Sequence, residues 1–168
     1  MNAINAINNL SQSEFVKIFA NIFEKTKWIA EELYNQKPFS SFEDLCTKML
    51  NIFENAAKEN QLKILRAHPN LADKIEISSI SSDSHKEQTN AGLDQCSKQE
   101  LKEFKDLNDK YKKKFSFPFI LAVKGKNKIE ILSEFKKRIV NNIDKEFNES
   151  INQARKIANL RLNKINIK

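Results

Sequence analysis

The sequence predicts an all-α fold, a single compact domain of about seven to nine helices. Three observations predict it. Apolar residues recur at helical spacing over most of the chain. Ser-x-x-Glu, the pattern with which a helix start satisfies its own first amides, occurs at Ser11, Ser40, Ser84 and Ser97. The 168 residues include only two Gly and three Pro, too few for the many tight turns of a β protein. With 40% hydrophobic residues, and twelve Phe to supply bulk, the chain is long enough to enclose a core.

Residues 1–10 carry no periodic signal and are expected to fray. The box at Ser11–Glu14 opens a helix carrying Phe15, Ile18, Phe19, Ile22, Phe23, Ile29, Ala30 and Leu33 on one stripe, which runs to about Tyr34 and stops before Pro38. Ser40–Glu43 opens the next, with Leu45, Met49, Ile52, Phe53 and Ala56 at helical spacing. A short segment from Gln61 to Ala67 follows. Pro69 then disfavours helical geometry at His68, so this histidine is expected at a break, where a side chain can project into a cleft.

Residues 70–83 are polar and serine-rich and read as a loop. Ser84–Glu87 opens a short helix to about Gln95, and Ser97–Glu100 a longer amphipathic one with Leu101, Phe104, Leu107, Tyr111 and Phe115. The most apolar stretch follows, Phe115 to Val123, with Pro118 in its middle. No second strand is available to pair with it, so it reads as an extended buried segment. Its backbone groups then need partners other than a sheet, and a polar ligand could supply some of them. Asn127 caps a helix with Ile129, Ile131, Leu132, Phe135 and Ile139. The last helix runs from about Asp144 to Ile165, with Arg161 near the middle of its apolar stripe. An arginine there needs an anionic or carbonyl partner, unless it snorkels at the helix end.

The net charge of +7 is uneven: residues 1–96 hold 10 basic and 13 acidic side chains, residues 97–168 hold 19 and 9. A basic half can bind nucleic acid or steer a small anion, or be no more than a solvated lysine-rich face. Cys46 and Cys96 make neither a disulfide framework nor a zinc site, and two histidines offer no metal cluster. The N-terminus lacks the basic start and apolar core of a secretory signal, and no apolar run approaches membrane-spanning length. A cytoplasmic protein without metal or cofactor is the expectation.

His68 suits proton transfer near neutral pH, because imidazole titrates there. Alone, a histidine is more often a satisfied structural residue than a catalytic one. Ser84 and Glu87 are explained by helix capping alone. Gln88 offers a paired donor and acceptor matched to a urea or imide edge, whereas His85 and Lys86 read as solvent-facing. No nucleophilic triad and no phosphate loop is present. What remains possible is a cofactor-free reaction run by one histidine, one carboxylate and hydrogen-bond donors. A basic nucleic-acid-binding domain and a helical interaction module are the alternatives.

Several separated segments carry a resemblance. They are His68-Pro69-x-Leu71-Ala72, then Ser84-x-x-Glu87-Gln88 with Ala91-Gly92-Leu93. Leu107-Asn108-x-x-Tyr111-x-x-x-Phe115-x-Phe117-Pro118-Phe119 and Ala122-Val123-Lys124-Gly125 follow, then Ile157-Ala158-x-Leu160-Arg161-Leu162. In order and spacing they resemble the 2-oxo-4-hydroxy-4-carboxy-5-ureidoimidazoline (OHCU) decarboxylase family, from about Phe15 to Leu162. The resemblance implies an all-helical homodimer that needs no cofactor and forms (S)-allantoin in urate breakdown. It implies His68 as the catalytic acid/base, with Glu87 placing it or the substrate. Pro69, Ser84, His85, Lys86, Glu87 and Gln88, the segment Phe119, Ile120, Leu121, Ala122 and Val123, and Arg161 would line the substrate site. Nucleic acid and membrane are not among the implied partners. The family often has Gly where this chain has Ser116, a replacement that a negative φ would tolerate.

Overall fold

Periodicity alone leaves open where each helix stops, and the stops decide what is placed near what. In a computed structural model, residues 3–73 and 81–165 are described. Among them are nine α-helices and no strand: α1 Ala3–Asn9, α2 Gln12–Phe19, α3 Lys27–Tyr34, α4 Phe42–Glu54, α5 Lys58–Ala67, α6 Ser82–Asn90, α7 Lys98–Phe115, α8 Lys128–Arg138 and α9 Ile143–Leu162. The all-α class is as the sequence predicts. The chain divides into two compact units, Met1–Ala67 with Arg155–Lys168, and His68–Ala154. The loop expected over 70–83 lies outside the described residues between 74 and 80.

In the first unit the N-terminus differs from expectation. Residues 3–9 form α1 instead of fraying, because Ile4 and Ile7, three apart, are both buried. Asn8 holds the helix by an amide clamp: Nδ2 donates to Phe39 O and Oδ1 accepts from Phe39 N, each at 2.8 Å. The single helix expected to Tyr34 is also broken, into α2 and α3, with Lys25 left-handed at φ 50° between them. The break releases main-chain carbonyls that a continuous helix would consume. Those of Asn21 and Ile22 accept from Arg161 Nη1 at 3.1 and 3.3 Å. The core here is aromatic: Phe15 packs on Phe19, Tyr34 and Phe39, and Phe23 on Phe53.

Helix starts follow the capping chemistry, with two shifts. Ser11 with Glu14, Ser97 with Glu100, and Asn127 with Glu130 form reciprocal boxes. For α4 the cap is Ser41, accepting from Asp44 N, one residue past the box read at Ser40. For α6 the cap is Ser81, not Ser84, so the helix starts a turn early and Ser84 becomes an inner, buried residue. Glu100 works twice, accepting from Lys128 Nζ at 2.8 Å and from Ser97 N at 2.7 Å. The Lys128 bond first, then the Ser97 amide, holds its carboxyl below the ordinary value. A lowered folded-state pKa contributes stability above the unfolded value, and that stability is lost as pH falls through the folded one. The Tm gap between wild type and Glu100→Gln should therefore be widest near neutrality and close as pH falls through the lowered folded-state titration of this carboxyl. A gap that persists unchanged in acid would show that the carboxylate charge is not what matters.

In the second unit, α7 ends at Ser116, which is left-handed at φ 64°, ψ 17°. The φ is positive, not the negative value at which serine replaces glycine without strain. This is the helix-terminating position where glycine is preferred, and a Cβ there is strained. Ser116→Gly should stabilise the protein by about 1 kcal/mol, raising Tm by roughly 2–4 °C. An unchanged or lower Tm in a thermal melt would mean the serine side chain offsets its backbone strain.

Candidate active site

The second unit holds all the candidate residues except Arg161. α5 ends at Ala67, and His68 follows at the helix break that Pro69 imposes, half-buried like the proline. The next three residues are pinned from two sides. Gln88 Oε1 accepts from Ala72 N at 3.0 Å, and its Nε2 donates to Asn70 O at 3.2 Å. Asn108, from α7, donates through Nδ2 to Leu71 O at 3.0 Å. Ala72 is itself left-handed at φ 56°, a conformation costing a non-glycine residue about 1 kcal/mol. The Gln88 bond holds it there.

This changes how Gln88 reads. The donor–acceptor pair expected to face a urea edge is directed at the main chain of residues 70 and 72. On α6, Ser84 and Gln88 are buried, Glu87 is half-buried, and His85 and Lys86 are exposed. The helix therefore turns Ser84, Glu87 and Gln88 to one face, at the i, i+3, i+4 spacing. Beside the pinned loop lies a cavity of about 240 Å³ lined by Asn70, Ala72, Asp73, Leu101, Lys105, Asn108 and Asp109. Neither His68 nor Glu87 lines this cavity.

Residues 118–123 leave α7 without regular structure and are almost entirely buried. Their main chain is partly satisfied by side chains. Ile120 O accepts from Arg138 Nη1 at 2.6 Å, and Ala122 N donates to Gln153 Oε1 at 2.9 Å. Arg138 ends α8 over the face of the Phe119 ring, 4.5 Å from its centroid. Its Nε donates to Glu146 Oε1 at 2.8 Å, and its Nη2 to Ser150 Oγ at 3.3 Å. Glu146 also accepts from Tyr111 Oη at 2.6 Å and from Asn141 Nδ2 at 2.9 Å. Burial, and then the bond to Glu146, pushes the Tyr111 phenol well above its ordinary value, so it stays a neutral donor. The network sits under aromatic cover, with Phe119 stacked on Phe135 at 3.9 Å. Sequence reading missed Arg138, Glu146, Ser150 and Gln153. A signal existed: residues 146, 150, 153, 157 and 161 recur at helical spacing along the buried side of α9.

Arg161, in the first unit, is 3% exposed and so does not snorkel. Besides the two carbonyls at the α2–α3 break, it lies 3.6 Å from the buried Glu24 carboxylate. The anionic and carbonyl partners that its place on an apolar stripe demands are thus present within the protein. Among the described residues, no group of three or more His, Cys, Asp or Glu side chains could hold a metal. No helix there is long and apolar enough to cross a membrane. Neither Cys46 nor Cys96 is in a disulfide.

The family model for OHCU decarboxylase matches residues 8–163. A uric acid degradation bifunctional protein of Bacillus sp. (strain TB-90) is 39% identical over 165 residues, covering 98% of this chain and 32% of that protein. This chain thus spans about a third of that relative's length. The 2-oxo-4-hydroxy-4-carboxy-5-ureidoimidazoline decarboxylase of Haloferax volcanii is 36% identical, with 93% of this chain and 91% of that one covered. Among solved structures, an OHCU decarboxylase crystallised in the presence of (S)-allantoin matches with a TM-score of 0.67 at 25% identity, covering 82% of this chain and 89% of that one. An (S)-allantoin synthase matches with a TM-score of 0.76 at 25% identity, covering 95% and 52%. An all-helical fold is what these solved structures share with this chain. The chain belongs to the OHCU decarboxylase family.

Proposed function

We infer that this chain is a carboxy-lyase that converts 2-oxo-4-hydroxy-4-carboxy-5-ureidoimidazoline to (S)-allantoin. The observation that carries the reading is the family match, which spans all the motifs quoted above at a third or more identity to full-length decarboxylases. The alternatives of a nucleic-acid-binding or purely scaffolding domain have no comparable support.

In the proposed reaction the bond between the ring carbon and its carboxylate breaks. CO2 leaves, the electron pair is taken into the conjugated ring, and a proton is delivered to one face, which sets a single enantiomer. His68 exchanges that proton or the one on the ring hydroxyl, since imidazole is poised near neutral pH. Glu87 orients His68 or the ureido arm. Support for these roles lies in the matched motifs, in the half-buried setting of both residues, and in the rigid loop that follows His68. Pro69, Ser84 and the main chain of 119–123 complete the proposed wall. Gln88 serves it through the 70–72 loop, and His85 and Lys86 contribute their backbone within α6. Arg161 would meet a carboxylate or carbonyl of the substrate while Glu24 balances its charge. Holding the carboxylate too firmly in the ground state would slow the step, because only interactions stronger in the transition state accelerate it. A pair of identical chains is the assembly the family suggests, and sedimentation would decide it.

The test generates the labile substrate in place from urate and follows the optical activity of the product. Decay to (S)-allantoin faster than the spontaneous reaction is the expected result. A rate equal to the uncatalysed one, or a racemic product, overturns the assignment.

A further inference from the structure

The 118–123 segment shows an unequal use of its two edges. In an extended chain, the C=O of one residue and the N–H of the residue two further on point to the same edge, and the groups of the residue between point to the other. Here Ile120 O and Ala122 N, the flanking pair, are both taken by side chains, Arg138 and Gln153. Leu121, between them, is 5% exposed, and its N–H and C=O make no hydrogen bond among the described residues. A buried main-chain pair is rarely left without a partner.

Both clamping side chains are themselves held. Arg138 is fixed by Glu146 and Ser150, and is 5% exposed. Gln153, 7% exposed, donates through Nε2 to Glu149 Oε1 at 2.8 Å, which sets its amide so that the oxygen faces Ala122. Neither side chain is needed to cap a helix or complete a helix ladder. Their common effect is to fix the rotation of one peptide segment.

We propose that Arg138 and Gln153 are positioning residues that clamp one edge of the 120–122 segment and so present the Leu121 N–H and C=O, on the other edge, to the substrate. This rests on the reading that 119–123 borders the substrate. One donor and one acceptor on a single residue match the cis N–H and C=O of a cyclic amide or urea, so the clamp sets recognition of a ring edge, not proton transfer. A uniform contact of that kind appears in KM and leaves kcat nearly unchanged.

Gln153→Met removes the acceptor for Ala122 N at similar volume. It should raise KM about tenfold, with kcat altered far less. Arg138→Lys keeps a positive charge beside Glu146 but lacks the planar fork that reaches Ile120 and Ser150 at once, and should shift KM the same way. The double variant Gln153→Glu with Glu149→Gln restores an acceptor for Ala122 N and a donor to hold it, and should return KM towards wild type. Rescue by that swap would show that the bond to Ala122 N, and not the amide of Gln153 itself, carries the effect. Hydrogen exchange of the wild-type protein gives a readout that does not depend on any variant folding. The Leu121 amide should exchange readily in the free protein and become protected by saturating (S)-allantoin, while the Ala122 amide is protected in both. An unchanged KM in a folded Gln153→Met or Arg138→Lys protein, failure of the swap, or a Leu121 amide indifferent to (S)-allantoin overturns the clamp. If wild type itself does not accelerate the decay, the proposed reaction fails instead, which is a separate result.

Discussion

His68→Asn should lower turnover by about 10²–10⁴-fold in a protein that remains folded, the range that loss of a positioned acid/base produces. Asparagine keeps a polar side chain of similar reach but has no proton to exchange near neutrality. The fold should tolerate it. His68 is half-buried, and the loop behind it is pinned by the side chains of Gln88 and Asn108 on the main chain of Asn70, Leu71 and Ala72. The measurement is the initial rate of (S)-allantoin formation, alongside a thermal melt. The pH profile separates proton transfer from mere contact, because wild type should lose activity through the titration range of an imidazole and the residual rate of the variant should not. Full activity in a folded His68→Asn protein would remove the histidine from the mechanism without touching the family assignment.

That the helices could be read from the sequence follows from local chemistry. Ser11, Ser97 and Asn127 cap where their patterns say, since a cap needs only residues within one turn. The shift at α6 has a local reason too. Ser81 and Ser84 lie one turn apart, and either could start the helix; what decides is that Ser84 and Gln88 are then buried together. The break after Phe19 was not legible, because Phe15 to Leu33 keeps its stripe through it. Its cause is remote in sequence: Arg161 binds carbonyls that the break exposes. Of the candidate site, His68 at a proline-made break was readable from one dipeptide. The bonds of Gln88 to residues 70 and 72 were not, since nothing in its own neighbourhood says that its amide would be used there. The polar side of α9 escaped for a related reason. Glu146, Ser150 and Gln153 look like surface residues until Arg138, Tyr111 and Ala122 are brought to them by other segments.

Glu146 is where this hidden polarity weighs most on stability. Its carboxylate is fully buried and takes bonds from Arg138, Tyr111 and Asn141. Glu146→Gln keeps the shape and removes the charge, leaving the Arg138 guanidinium buried without a counter-charge. Breaking a buried pair from one side costs about 3–5 kcal/mol, so Tm should fall by roughly 10 °C. Tyr111→Phe should cost less, about 1.5–3 kcal/mol, since it deletes one hydrogen bond to a charged group and keeps the ring that packs on Phe115 and Phe119. Removing both ions, in Arg138→Met with Glu146→Leu, should recover most of the loss, because the expense of the single change lies in the orphaned charge. A Glu146→Gln protein more stable than Tyr111→Phe in the same melts would mean that Glu146 does not neutralise Arg138. The stable double variant also separates what the network does for the fold from what it does for the site. It should melt near wild type and still bind substrate poorly, because the hold of Arg138 on Ile120 is gone. Recovery of stability without recovery of KM is the outcome that a role in placing the 120–122 main chain requires, and a network serving the fold alone would restore both.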